Sequence, residues 1–134
     1  MDKIIKYFQQ ENFAKNSGMS LTEVSGGYAK VKMEIEKRHL NVLGTVHGGA
    51  IFTLADMAFA AASNSHGTVA VAINCDISFV KAVGEGHLIA EAKETSINPK
   101  ISTYVVNVTN EKGDTIAIFN GMAYRKKYAL ELLE

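Results

Sequence analysis

Asp56 is the one acid in the run from His47 to Ser63, which reads His-Gly-Gly-Ala-Ile-Phe-Thr-Leu-Ala-Asp-Met-Ala-Phe-Ala-Ala-Ala-Ser. A helix that is apolar on every side belongs in a core. A carboxylate carried into a core is costly unless something pairs with it or keeps it protonated. Gly48 and Gly49 open the run with backbone N–H groups that find no acceptor inside the helix, at the end where the dipole favours negative charge. An expensive acid and a ready oxyanion site on one element point to catalysis at a carbonyl.

Each of these residues also has a plainer reading. The glycines alone could serve only a tight turn into the helix. Asp56 could be hydrogen-bonded to core backbone or face a subunit interface. His47 reads either as a base or, as is commoner for a lone His at a helix start, as a group that caps and orders the loop with its ring N–H. Asn41, six residues upstream, offers an amide to a water or a substrate oxygen, or else an Asx-type loop turn. Asn74, inside the apolar strand 69–77, could orient Asp56 or a water; it could equally face solvent, since Asp76 and Ser78 share its parity.

Spacing adds a constraint. Gly48 and Asp56 are eight residues apart, or about 12 Å along a helix. A carbonyl carbon must meet its attacking group at about 3 Å while its oxygen meets the donor N–H. One helix can hardly offer both to the same carbonyl. If the two cooperate, they come from antiparallel copies of the helix in two subunits.

The elements that must position these groups follow from periodicity. Residues 2–15 read as a short amphipathic helix, with Ile4, Ile5, Phe8 and Phe13 at near-helical spacing. Segments 19–24 and 28–35 alternate around Ser25-Gly26-Gly27, a hairpin signal. Residues 36–46 are irregular, the apolar helix follows, and Ser63-Asn64-Ser65-His66-Gly67 stops it. Strands are expected at 68–80, 87–95, 101–109 and 115–124, with a short helix in the Leu-Glu tail after Arg125-Lys126-Lys127. The hairpin-length turns imply antiparallel pairing. The expected class is therefore α+β, an antiparallel sheet wrapped around one long central helix. The helix's far side and the sheet edges still need cover, which a second copy would supply.

At 134 residues the chain reads as a single domain spanning 1–134. Lys plus Arg and Asp plus Glu are 14 each, so no net field draws in nucleic acid or an anionic membrane. Cys75 is the only cysteine, which excludes an internal disulfide and fits the reducing cytoplasm. Met1-Asp2-Lys3 leads into a polar stretch unlike a signal-peptide core. The apolar run 50–62 is shorter than the ~20 residues that span a bilayer. His39, His47, His66 and His87 lack metal-ligand spacing, and no metal or other cofactor is expected. Cys75 has no basic residue near it in sequence and reads as an inert thiol.

The run His39-Leu-Asn-Val-Leu-Gly-Thr-Val-His-Gly-Gly-Ala-Ile-Phe-Thr-Leu-Ala-Asp56 resembles the hotdog-fold acyl-CoA thioesterases of the PaaI (phenylacetate-pathway) type. The shared pattern is Asn, then six residues on His-Gly-Gly, then an apolar helix with Asp seven residues after the second glycine. Residues 76–81 and 86–92 resemble the family's next two strands, so nearly the whole chain is covered. The resemblance implies a hotdog fold, an acyl-CoA substrate, and a homodimer that pairs into a homotetramer. It implies that Asp56 is the nucleophile or the general base, that Gly48 of the partner supplies the oxyanion N–H, and that Asn41 and His47 position the thioester or the water. Gly49, Asn74, Lys81 and Lys100 complete the expected substrate contacts, the lysines as candidates for coenzyme A phosphates. Asn74 departs from the small hydroxyl residue that relatives often carry there.

Two other activities remain on the same residues. A hotdog dehydratase or hydratase of hydroxyacyl thioesters would use His47 with Asp56. A non-catalytic acyl-CoA-binding protein would usually carry a further module. The acyl group is not readable, because it depends on which of Ala50, Phe52, Thr53, Met57 and Phe59 face the pocket.

Overall fold

The computed structural model describes residues 2–131. Its one long helix is α3 (Gly48–Ser63), preceded by α1 (Asp2–Phe8), α2 (Asn12–Asn16), β1 (Met19–Ser25) and β2 (Tyr28–Glu34). Four strands follow, β3 (Thr68–Phe79), β4 (His87–Ile97), β5 (Ile101–Asn110) and β6 (Thr115–Ala129). They form one six-stranded sheet in the order β1-β2-β4-β5-β6-β3, antiparallel at every pairing. The helix is the crossover from β2 to the opposite edge strand, and it touches all six strands.

Alternation decides which face of the sheet meets the helix. Ala29, Val31 and Met33 of β2 are buried, as are Leu88, Ala90 and Ala92 of β4 and Tyr104, Val106 and Val108 of β5. They close over Leu54, Ala55, Ala58, Phe59, Ala61 and Ala62 of α3, each 0–1% exposed. Gly121 of β6 lets the sheet approach: a Cβ there would stand 2.7 Å from the Phe59 ring. Edge strand β3 differs from the rest. Val71, Ile73 and Phe79 are 42–55% exposed, and Val80 just beyond is 57% exposed.

Three expectations need correction. The stretch 2–15 is two helices rather than one, because Glu11 takes an extended conformation and its carboxylate accepts from the Phe13 N–H at 3.2 Å, capping a new helix. Strand β6 runs on to Ala129, beyond the expected 124, held by β3 through a bulge in which Thr68 faces Ala129 while Ala70 faces Arg125. The expected tail helix is absent at Leu130 and Glu131, and its remaining residues, 132–134, lie outside the described residues.

Candidate active site

The loop before α3 is ordered largely by its own side chains. Asn41 Oδ1 accepts from the Leu43 N–H at 2.9 Å and the Thr45 N–H at 3.2 Å, and its Nδ2 donates to Thr45 Oγ1 at 3.0 Å. The Asx-turn reading of Asn41 is the one found. His39 is a satisfied core histidine: Nδ1 accepts from the Glu36 N–H at 2.9 Å and Nε2 lies 2.7 Å from the Ser17 carbonyl. The His39 carbonyl in turn accepts from the His47 N–H at 2.7 Å.

His47 is the N-cap of α3. Its Nδ1 accepts from the Gly49 N–H at 2.8 Å, so that nitrogen carries a lone pair and the ring proton sits on Nε2. The cap role expected for His47 is present, but the ring nitrogen accepts rather than donates. A Cβ at Gly49 would stand 3.0 Å from Nδ1, so a larger residue there would press on this cap. With the Gly49 N–H taken, the Gly48 N–H has no backbone or side-chain acceptor among the described residues. Gly48 opens into a cleft of about 320 Å³ lined by Thr45, Val46, Ile51, Phe79 and Lys81. The Phe79 ring occupies the space of its missing side chain, 3.1 Å from where a Cβ would be.

Asp56 lies two turns further on and opens into a different cleft. That cleft, about 150 Å³, is lined by Phe8, Glu11, Phe13, Ala14, Thr53, Met57 and Ala60. The carboxyl is half-buried, and its pKa is raised above the usual carboxylate value, by burial first and by the Glu11 charge second. The N-terminal helices supply half of this wall. Nothing in their amphipathic spacing distinguishes docking beside an acid from ordinary core packing, and the sequence reading missed Phe8, Glu11, Phe13 and Ala14 for that reason.

The other candidates are dispersed. Asn74 lines a groove on the outer face of the sheet with Asp76, Thr103 and Asn120, and the single chain does not bring it to Asp56. Cys75, on the opposite parity, is nearer: its thiol is pushed up by burial first, then by the charges of Asp56 and Asp76. Lys81 borders the Gly48 cleft but is engaged by Asp114 at 2.8 Å. Lys100 is at the other end of β3, in a turn whose carbonyl accepts from the Arg125 N–H at 2.7 Å. Among the described residues, no group of three His, Cys, Asp or Glu side chains is arranged to hold a metal, and no helix is long and apolar enough to cross a membrane.

Comparison with known proteins identifies the family. Residues 43–117 match the family model of the thioesterase superfamily. The chain is 34% identical over 119 residues to the acyl-coenzyme A thioesterase PaaI of Escherichia coli strain K12, covering 88% of this chain and 85% of that one. A provisionally named esterase of Archaeoglobus fulgidus is 49% identical over 106 residues, 78% of this chain and 69% of its own. The solved structure of E. coli PaaI, from the phenylacetic acid degradation operon, superimposes with a TM-score of 0.89 at 30% identity, covering 96% of each chain. The chain thus belongs to the thioesterase superfamily, as a hotdog-fold thioester hydrolase of the PaaI-like kind.

Proposed function

We propose that the chain is an acyl-CoA thioesterase acting as a homodimer, each site built from Asp56 of one copy and the Gly48 N–H of the other. The observation that carries this reading is the placement of the two groups on one uninterrupted helix. They are about 12 Å apart along its axis and open into separate clefts. The name of the E. coli relative supports CoA thioesters as the substrate class.

Edge strand β3 supports the dimer. A long apolar strand left open at a sheet edge is a pairing site. Two copies of β3 paired about a two-fold axis would continue the sheet and lay the two α3 helices side by side and antiparallel. Gly48 of one copy then approaches Asp56 of the other.

In the reaction, ionised Asp56 takes a proton from water and the hydroxide attacks the thioester carbon. Acting instead as nucleophile, Asp56 attacks that carbon itself and forms an anhydride that water opens. Either way the carbonyl oxygen gathers negative charge toward the Gly48 N–H and the C–S bond breaks. The leaving thiolate takes a proton from protonated Asp56 in the first route and from water in the second, so coenzyme A is released as the thiol. The hydroxide left in the second route opens the anhydride to the acid. Burial makes the ionised carboxylate a stronger base than an exposed one. The Asp56 cleft takes the acyl group, and its 150 Å³ is comparable with the ~150 Å³ cavity that accepts benzene in another protein. A single ring or a short chain fits. His47 orders the helix start, with Nδ1 already occupied by the Gly49 N–H, which leaves the dehydratase chemistry without its base at that atom.

The test is free-thiol release over a panel of acyl-CoAs, with Asp56→Asn as comparison. The variant is expected to keep the fold by circular dichroism and lose at least ~100-fold in turnover. An Asp56→Asn protein as fast as wild type would overturn the assignment.

A further inference from the structure

The cleft that opens onto Asp56 holds a second acid. Thr53, Asp56, Met57 and Ala60 stand at helical spacing on one face of α3, and Phe8, Glu11, Phe13 and Ala14 close the other side. The Thr53 hydroxyl is turned to the Gly49 carbonyl, 2.8 Å away, so apart from the two carboxyl groups the wall is largely apolar. No Lys, Arg or His lines it. Elsewhere acids meet cations, as Glu23 meets Lys30, Glu36 meets Arg38 and Asp114 meets Lys81. Among the described residues Glu11 is in no ion pair, although Lys6 and Lys15 sit on the same two N-terminal helices.

Glu11 is placed by the break between those helices. Its N–H donates to the Phe8 carbonyl at 3.1 Å, and its own carbonyl accepts from the Lys15 N–H at 2.9 Å. Its side-chain Oε1 accepts from the Phe13 N–H at 3.2 Å, a cap that favours the ionised carboxylate. Backbone and side chain are both tied, so the charge is held at the cleft although solvent reaches it. Asp56 senses that charge, which is the second cause, after burial, of its raised pKa.

The arrangement discriminates by charge. An acyl group that ends in a carboxylate must leave water and bring a third negative charge beside Glu11 and Asp56, with no cation in the wall to meet it. An uncharged acyl group of the same shape meets the rings of Phe8 and Phe13, the Met57 side chain and two alanines without that penalty. Asp56 has a part in the reaction itself. Glu11 adds a fixed charge to the same cleft from a different element, which makes it free to serve selection alone.

We propose that Glu11 is a specificity-determining residue, a fixed charge at the acyl cleft that turns away acyl groups ending in a carboxylate and leaves uncharged ones to be hydrolysed. This rests on the thioesterase reading above, with the Asp56 cleft as acyl pocket. The test compares glutaryl-CoA, whose acyl group ends in a carboxylate, with the uncharged terminal amide of the same acyl-CoA. Both are assayed by free-thiol release at a pH where Asp56 is ionised in wild type and variants alike. Glu11→Gln keeps an acceptor for the Phe13 N–H and removes only the charge. It is expected to raise kcat/KM for glutaryl-CoA roughly fivefold, mainly through KM, as one partly screened like-charge contact would, and to leave the amide within about twofold. Glu11→Asp keeps both charge and cap and should leave the ratio of the two substrates within about twofold. In wild type the handicap of the anion should shrink at high salt. Glu111→Gln, in the turn between β5 and β6, removes a charge elsewhere and should move neither substrate. No gain for glutaryl-CoA in Glu11→Gln, or an equal gain for both substrates, overturns the filter and leaves a thioesterase that cleaves the amide standing. A wild type that releases thiol from no acyl-CoA overturns the hydrolase and the filter with it.

Discussion

Gly48→Pro is the sharpest probe of the shared site, because it removes the N–H that the oxyanion would need while the helix start tolerates it. Proline at the first position of a helix is well tolerated, since that N–H has no partner inside the helix. The residue before a proline must be extended, and His47 already is, with φ −60° and ψ 136°. The His47 cap on the Gly49 N–H is untouched. Loss of one oxyanion donor typically lowers kcat by about 10²–10³, or ~2.7–4 kcal/mol. That loss is the prediction here, with Tm near the wild-type value. Gly48→Ala is the steric control: its Cβ meets the Phe79 ring at 3.1 Å as a proline would, yet it keeps the N–H, so most activity should survive. Mixing then tests which copy supplies what. When Asp56→Asn and Gly48→Pro chains are unfolded together and reassociate at random, about half of the dimers are mixed. Each mixed dimer holds one site with an intact Asp56 and an intact Gly48 from different chains, so activity should return to about one quarter of wild type. No recovery on mixing, or a Gly48→Pro enzyme at full speed, refutes the reasoning.

Asp56 also governs stability. Its pKa is raised in the folded chain, chiefly by burial, so the ionised form disfavours folding. That handicap is absent below the unfolded carboxylate value and develops as pH rises through the folded one. Asp56→Asn should therefore be more stable than wild type at pH 7, and the gap in Tm should close as pH falls below the carboxylate range. Glu11→Gln removes the second cause of the shift. The acidic limb of kcat/KM should then move to lower pH, and an unmoved limb would detach Glu11 from Asp56. His47→Ala should cost about 0.5–2 kcal/mol by thermal melting, as an N-cap does, while His47→Asn, another capping residue, should keep both stability and most turnover. If His47→Asn is well folded and inactive, the ring does chemistry.

Much of the site was legible because its signals are local. A pair of glycines, a capping His and an acid in an apolar run belong to one helix, and helix rise is the same in every chain, so the separation of Gly48 from Asp56 could be reckoned before any fold was known. The alternating strands were legible for the same reason, with Ala29, Val31 and Met33 buried as their spacing demands. What stayed hidden depends on distant contacts. The break at Glu11 turns Phe8 and Phe13 toward Asp56, a docking that periodicity does not encode. Asn74 had two possible sides of its strand, and the choice rests on how β3 sits against β6, where a register shift falls between Ala72 and Asn74. Lys126 and Lys127 lie past the expected strand end at 124, and only the bulge between Thr68 and Ala70 makes them part of a strand.

The wall of the Asp56 cleft carries one more consequence. Phe8, Glu11, Phe13 and Ala14 all precede residue 43, where the match to the superfamily model begins, while Gly48 and Asp56 lie inside it. In the proposed site, half of the wall around the acyl group thus comes from a different stretch of chain from the one that would react, with Thr53, Met57 and Ala60 of α3 supplying the rest. Two short helices with a small share of the core can change their side chains at modest cost to the fold, and Ala14 leaves room to grow inward. On that reading substrate preference would become, in part, an inheritable setting separate from the reaction itself, and a lineage of such enzymes could shift its acyl preference by rewriting its first fourteen residues.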